Sequence, residues 1–144
     1  MDYRAPDDDD GNDDESKPRA PGDRGRRARL LIVDDDVQLL RGLARALGEY
    51  EVLTADGGRA ALALLERDPA VDAILCDLEM REGSGMELYA EIARRWPTLA
   101  KQVVFMTGGA YTAATQDFLA SIANVCLQKP FDLAALRAVL LRRG

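Results

Sequence analysis

Apolar residues in this chain fall into short unbroken runs separated by amphipathic stretches. Four runs read as buried strands: Leu30-Leu31-Ile32-Val33, Ala73-Ile74-Leu75-Cys76, Val103-Val104-Phe105-Met106 and Val125-Cys126-Leu127-Gln128. A further strand, from Tyr50 to Ala55, carries Glu51 and suits a sheet edge. With flanking residues, the five strands are predicted at Arg29 to Val33, Tyr50 to Ala55, Val71 to Cys76, Gln102 to Met106 and Asn124 to Leu127. Helices are predicted at about Val37 to Leu47, Gly58 to Arg67, Gly85 to Trp96, Thr112 to Ile122 and Asp132 to Arg142. The first shows Val37, Leu40, Leu43, Ala44 and Leu47 on one stripe, and the last shows Leu133, Leu136, Val139 and Leu140. Gly48, Asp68-Pro69 and Pro97 are the expected stops, and Asp132 is an expected N-cap.

Strand and helix thus alternate from Arg29 onward. That order implies a parallel sheet with helices on both faces and right-handed crossovers. The expected fold is α/β: a flavodoxin-like (βα)5 doubly wound sheet in strand order 2-1-3-4-5. One domain, residues 29–144, accounts for the whole pattern. Residues 1–28 are different, with nine acidic and six basic side chains, three prolines and Tyr3 as the only aromatic. Such a segment cannot bury enough apolar surface to offset its ordering entropy, so a disordered charged tail is expected. It would serve as a solvated leader or as a docking arm for a partner.

Composition narrows the function. Hydrophobic residues make up 47% of the 144, enough for a real core, yet no stretch reaches membrane-spanning length and no signal-peptide core is present. Cys76 and Cys126 lie in strands and read as reduced core residues of a cytoplasmic protein. A net charge of −6 argues against general nucleic-acid binding. The chain has no histidine, which excludes a histidine base, metal ligand or phosphohistidine within it. Any phosphoryl donor is then another molecule or a segment outside this sequence.

Polar residues stand where the apolar runs end: Asp34-Asp35, Asp77, Thr107 and Lys129. In an open parallel sheet the carboxyl ends of the strands share one edge, and ligands bind there. Three carboxylates within about 5 Å repel by several kcal/mol per pair at an effective dielectric near 20, unless a cation sits among them. Mg²⁺ suits the set, since it prefers oxygen ligands and commonly joins carboxylates to phosphate. Asp77 is the candidate nucleophile, able to form an acyl phosphate, with Thr107 and Lys129 as partners of phosphate oxygens. Each residue also has an ordinary reading: a helix cap for Asp34 to Asp36 or Asp77, a strand-end threonine, a solvated lysine. The joint pattern carries the argument.

Residues 29–143 resemble the receiver domain of a two-component response regulator. The matching stretches are Leu31-Ile32-Val33-Asp34-Asp35-Asp36, Leu75-Cys76-Asp77-Leu78-Glu79-Met80, Gly85-Met86-Glu87-Leu88, Met106-Thr107-Gly108-Gly109 and Lys129-Pro130-Phe131. The resemblance implies that Asp77 is the phosphoacceptor. It implies that Asp35, Asp77 and the Glu79 backbone carbonyl bind Mg²⁺ directly, with Asp34 acting through water. Thr107 and Lys129 would engage the phosphoryl oxygens, Gly108 would leave room for the group, and the Lys129-Pro130 bond would be cis.

Three positions depart from the family pattern: Arg81 where proline is usual, Ser84 where aspartate is common, and Cys126 where many receivers carry Tyr or Phe. The last removes the ring of the family's threonine–aromatic switch. Glu79, near the mouth of the site, is expected to influence the lifetime of the acyl phosphate.

The expected function is a phosphoacceptor module taking a phosphoryl group from a histidine kinase or histidine phosphotransfer protein. It would signal or relay without an attached output domain, with at most slow autodephosphorylation and no direct nucleic-acid or membrane binding. The charge added at Asp77 would shift an equilibrium around the fourth helix, fifth strand and fifth helix. Stretches around Thr107 and Lys129 look like receivers attached to hybrid histidine kinases. Two alternatives stand beside this reading. One is a haloacid-dehalogenase-type phosphatase using Asp34, in which Asp77 would have no role and no acidic pair follows Lys129. The other is a receiver-like module that is never phosphorylated.

Overall fold

The computed structural model describes residues 27–109 and 112–143. The tail expected over 1–28 lies outside the described residues except for its last two positions. There, Arg27 donates from Nη1 to the Gly48 carbonyl at 2.7 Å, and the Ala28 carbonyl accepts from Glu51 N at 2.8 Å. Arg27 is thus tied to the turn after α1 and Ala28 to the start of β2.

Five strands, β1 (Arg29–Val33), β2 (Glu51–Ala55), β3 (Ala73–Asp77), β4 (Val103–Thr107) and β5 (Cys126–Gln128), pair in parallel in the order β2-β1-β3-β4-β5. The helices are α1 (Val37–Ala46), α2 (Gly58–Arg67), α3 (Gly85–Arg95), α4 (Pro97–Ala100), α5 (Ala113–Ala120) and α6 (Leu133–Arg143). This is the flavodoxin-like doubly wound arrangement expected. Successive strand side chains alternate between faces. Leu31, Val33, Ile74, Cys76, Val103 and Phe105 pack on one side with Leu65, Leu88 and Ile92 of α2 and α3. Leu30, Ile32, Ala73, Leu75, Val104 and Met106 pack on the other with Leu40, Leu43, Leu136 and Val139 of α1 and α6. β1, β3 and β4 are covered on both faces, which is why their sequences show no polar alternation.

Helix ends follow local chemistry. Asp36 caps α1 by accepting from Leu39 N at 3.1 Å, and Asp132 accepts from Ala135 N at 2.7 Å at the start of α6. Ser84 forms a capping box with Glu87, each side chain accepting from the other's backbone N–H. The serine at this unusual position therefore fixes the start of α3. Pro97 does not simply end a helix: α3 stops at Arg95 and the proline begins α4, where its missing N–H costs nothing. Val37 leaves the buried stripe expected for it: it is 44% exposed and lines an open cavity with Asp35 and Asp36.

Cys76 and Cys126 are both free. β4 lies between their strands, which puts their backbones about 10 Å apart, too far for a disulfide. Cys126 packs against a ring cluster made by Tyr89, Phe105 and Phe118, whose centroids lie 5.4–5.6 Å apart. Aromatic bulk on this side of the sheet thus comes from α3, β4 and α5. Phe105 is fully buried at the centre of that cluster. Phe105→Ala is expected to cost about 3–5 kcal/mol of folding stability, measured by urea unfolding.

Candidate functional site

Parallel pairing puts the carboxyl ends of β1, β3, β4 and β5 on one edge. The register pairs Val33 with Cys76, so Asp34 and Asp77 are the next residues across from one another. By strand alternation Asp34, Asp77 and Lys129 continue the face of Ile32, Leu75 and Leu127, while Thr107 continues the face of Phe105. The ladder runs on past the strands: Leu78 N donates to the Met106 carbonyl at 2.9 Å, and Lys129 N donates to the Thr107 carbonyl at 2.7 Å. The Lys129-Pro130 bond is cis, as expected.

The predicted site residues meet at this edge. Lys129 Nζ donates to Asp34 Oδ2 at 2.8 Å and lies 3.6 Å from Asp77 Oδ1. Asp34, Asp35 and Asp77 each present an oxygen, all within 4.8 Å of one another. Asp34 and Thr107 are fully buried and Asp77 is nearly so, whereas Asp35 is half-buried. Both Asp34 oxygens are engaged, since Oδ1 accepts from Asp36 N at 2.9 Å. Asp77 Oδ1 accepts from Glu79 N at 3.3 Å. A cluster of three carboxylates with one ammonium retains excess negative charge and offers hard oxygen donors, a set that fits Mg²⁺.

Gly85 makes the site compact. Its N–H donates to the Leu78 carbonyl at 3.1 Å, and a Cβ there would lie 2.5 Å from the Asp77 carbonyl oxygen and 3.0 Å from Leu78 Cα. Only glycine lets α3 start this close to the end of β3. Between them the loop closes with a bridge between Glu79 and Ser84, and Gly83 adopts φ 78°. The departures at Arg81 and Ser84 are thus accommodated in an ordered loop.

Two contacts were not foreseen from the sequence. The Glu79 carboxylate turns onto β4's end, where Oε2 accepts from Thr107 Oγ1 at 2.7 Å and Oε1 accepts from Gly108 N at 3.0 Å. Arg81 takes the place of the usual proline and covers Asp35, with its backbone N–H 2.8 Å and its Nε 3.4 Å from Asp35 Oδ2. Charge complementarity between Arg81 and Asp35 was the available signal for the second. The direction of a loop glutamate has no signature in spacing. Beside these residues a cavity of about 690 Å³ opens to solvent, lined by Asp35, Asp36, Val37, Gln38, Glu79, Met80 and Arg81.

Electrostatics set Asp77 apart. Its carboxyl is pushed up to about 6, chiefly by burial and then by the Asp34 charge, with Lys129 and the Glu79 N–H opposing and the Glu79 charge adding. For Lys129, burial works to lower the value. The hydrogen bond to Asp34 and the charges of Asp77 and Asp34 outweigh it, so the net shift is upward. Burial, followed by the Asp77 and Asp34 charges, drives the Cys76 thiol far upward, so it stays protonated.

The chain belongs to the response regulator receiver domain family, whose sequence pattern matches residues 30–141. It is 39% identical over 113 residues to the transcriptional regulatory protein GlrR of Escherichia coli, a match covering 76% of this chain and 24% of GlrR. The chain thus spans about a quarter of that relative's length. Among solved structures, the chemotaxis protein CheY4 of Vibrio cholerae superposes with a TM-score of 0.70 at 28% identity, covering 82% of this chain and 99% of CheY4. The response regulator TrrA of Thermotoga maritima, solved in complex with Mg(2+)-BeF, gives 0.70 at 26% identity over 81% of this chain and 99% of its own. Among the described residues, no helix is long and apolar enough to cross a membrane.

Because the Asp77 proton is held more tightly in the folded protein, its stabilising contribution is fully present below the ordinary value of 3.8 and is lost as pH rises through about 6. In metal-free protein, Asp77→Asn is therefore expected to gain stability relative to the parent between pH 4 and 7. The expected gain is about 3 kcal/mol at pH 7, read from urea unfolding in EDTA.

Proposed function

We propose that the protein is a phosphoacceptor module of a two-component phosphorelay, with Asp77 as the acceptor. The observation that carries this reading is the meeting of Asp77, Asp34, Asp35 and Lys129 at the carboxyl edge of a receiver fold. An Asp77 carboxylate oxygen forms a bond to phosphorus while the phosphorus–nitrogen bond of a partner phosphohistidine breaks. The electron pair and a proton remain with the departing imidazole. The partner is a histidine kinase or a histidine phosphotransfer protein, since this chain has no histidine of its own.

The roles of the neighbours follow from their chemistry. Lys129 offers a point charge to a phosphoryl oxygen. The Thr107 hydroxyl and Gly108 N–H are donors at the same edge, and Gly108 adds no side chain there. Asp35, Asp77 and the Glu79 backbone carbonyl would hold Mg²⁺, with Asp34 reaching it through water. When bound, the cation supplies positive charge that offsets the charge on the transferring oxygens. Slow hydrolysis of the acyl phosphate returns the resting state; multiple turnover is not expected.

Asp34 serves poorly as the nucleophile of a phosphatase, because it is fully buried with both oxygens already hydrogen-bonded. For the downstream step, relatives named as transcriptional regulators favour an output on transcription, carried by a domain or partner beyond the receiver fold. Residues 29–144 would be the receiver and residues 1–28 a separate charged segment. A cytoplasmic location fits a histidine-kinase partner.

Incubation with acetyl phosphate and Mg²⁺, followed by intact-mass measurement, tests the proposal. One phosphoryl adduct, absent from Asp77→Asn, is expected. Sustained turnover of phosphate esters that depends on Asp34, with no adduct on Asp77, would overturn it.

A further inference from the structure

The Glu79 carboxylate holds two donors that a phosphoryl group on Asp77 would need. One oxygen accepts the Thr107 hydroxyl at 2.7 Å and the other accepts the Gly108 N–H at 3.0 Å. Thr107 is fully buried, so its hydroxyl has few other places to turn. Gly109 N already donates to Thr107 Oγ1 at 3.2 Å, which leaves the hydroxyl proton for Glu79. The same glutamate donates its backbone N–H to Asp77 Oδ1 at 3.3 Å, so its main chain is fixed beside the acceptor while its side chain crosses to β4. Unlike Thr107, the Glu79 residue is exposed. Its carboxylate can return to water at small cost, which suits a ligand that is displaced.

A carboxylate and a phosphoryl group have the same appetite: negative oxygens seeking paired donors. We infer that Glu79 is a resident anionic ligand of the Thr107 and Gly108 donors, which an arriving phosphoryl group must displace, and that it thereby sets the rate at which Asp77 is phosphorylated. The inference rests on Asp77 being the acceptor and goes beyond it by giving the resting site a built-in competitor. The Glu79 carboxylate touches no reacting atom in this role. It acts through Thr107 and Gly108, and is a positioning residue. Displacing it frees Thr107 and Gly108 together, so the start of the segment between β4 and α5 would change partners at the moment of transfer.

The test uses the full chain and acetyl phosphate with Mg²⁺, comparing the parent, Glu79→Ala, Glu79→Gln and Asp77→Asn. Transfer forms the bond from an Asp77 oxygen to phosphorus as the acyl oxygen–phosphorus bond of the donor breaks, with acetate leaving. Removing a charge-assisted pair of hydrogen bonds from the resting state is expected to speed adduct formation in Glu79→Ala by about tenfold. Glu79→Gln, which keeps one acceptor and loses the charge, is expected to show a smaller gain. A second readout needs neither metal nor donor. In the metal-free protein, the Gly108 amide proton resonance should move upfield, and its exchange with solvent should quicken, in Glu79→Ala.

A residue that merely supported the loop would slow phosphorylation when removed, so a gain supports displacement. Equal or slower adduct formation in Glu79→Ala, or an unchanged Gly108 amide, overturns the inference while leaving Asp77 as acceptor. No adduct in the parent or in either Glu79 variant removes the acceptor reading and this inference with it.

Discussion

The Lys129 ammonium stands among carboxylates drawn from two other strands, 2.8 Å from Asp34 and 3.6 Å from Asp77. Each pair of acidic oxygens within 4.8 Å costs about 3 kcal/mol or more at an effective dielectric near 20. One half-buried ammonium offsets part of that cost and leaves the remainder. The sheet is what permits this concentration of charge. Its interior strands are apolar on both faces, so the polar residues are confined to the strand tips, where parallel pairing gathers them. Folding stability is generated in the two apolar layers and partly given up at the edge. The site keeps a standing demand for positive charge there, and a divalent cation or a phosphate-bearing partner can meet or exploit it.

In the resting arrangement most site groups already have a partner from within the chain. Asp34 has Lys129, Asp35 has Arg81, and the Thr107 and Gly108 donors have Glu79. Asp77 is only partly compensated by Lys129 and the Glu79 N–H, and burial with the Asp34 charge raises its affinity for a proton. Phosphorylation would exchange these internal partners: Lys129 and Thr107 toward the new phosphoryl oxygens, Glu79 toward solvent. Signalling by this route would be a change of partners at the ends of β4 and β5. The Tyr89, Phe105 and Phe118 rings cluster on the side of the sheet where β5 presents Cys126 and Gln128. Here the aromatic bulk belongs to α3, α5 and β4.

The architecture was legible because burial on both faces leaves continuous apolar runs, and because each run ends in a residue too polar for the core. Strand order and the convergence of Asp34, Asp77, Thr107 and Lys129 followed from that. Pro97 was harder to place, since proline ends one helix and begins another with equal ease. Val37 fits a helical stripe by spacing alone, but in the first turn of α1 it faces the open cavity at the strand tips. Ser84 looked like a departure and is a cap, a role visible once Glu87 is counted three residues on. The Glu79 and Arg81 contacts depend on how a seven-residue loop folds back over the strand tips, from Leu78 to Ser84, and no local periodicity encodes that path.

The account stands most directly on the unmet negative charge at the strand tips, and thermal unfolding with and without millimolar Mg²⁺ at pH 7 measures it. Relief of carboxylate repulsion predicts a melting temperature that rises with Mg²⁺ and saturates, with the rise lost in Asp35→Asn and in Asp77→Asn. A melting temperature that ignores Mg²⁺ in the parent protein, or an equal rise in all three, would contradict it.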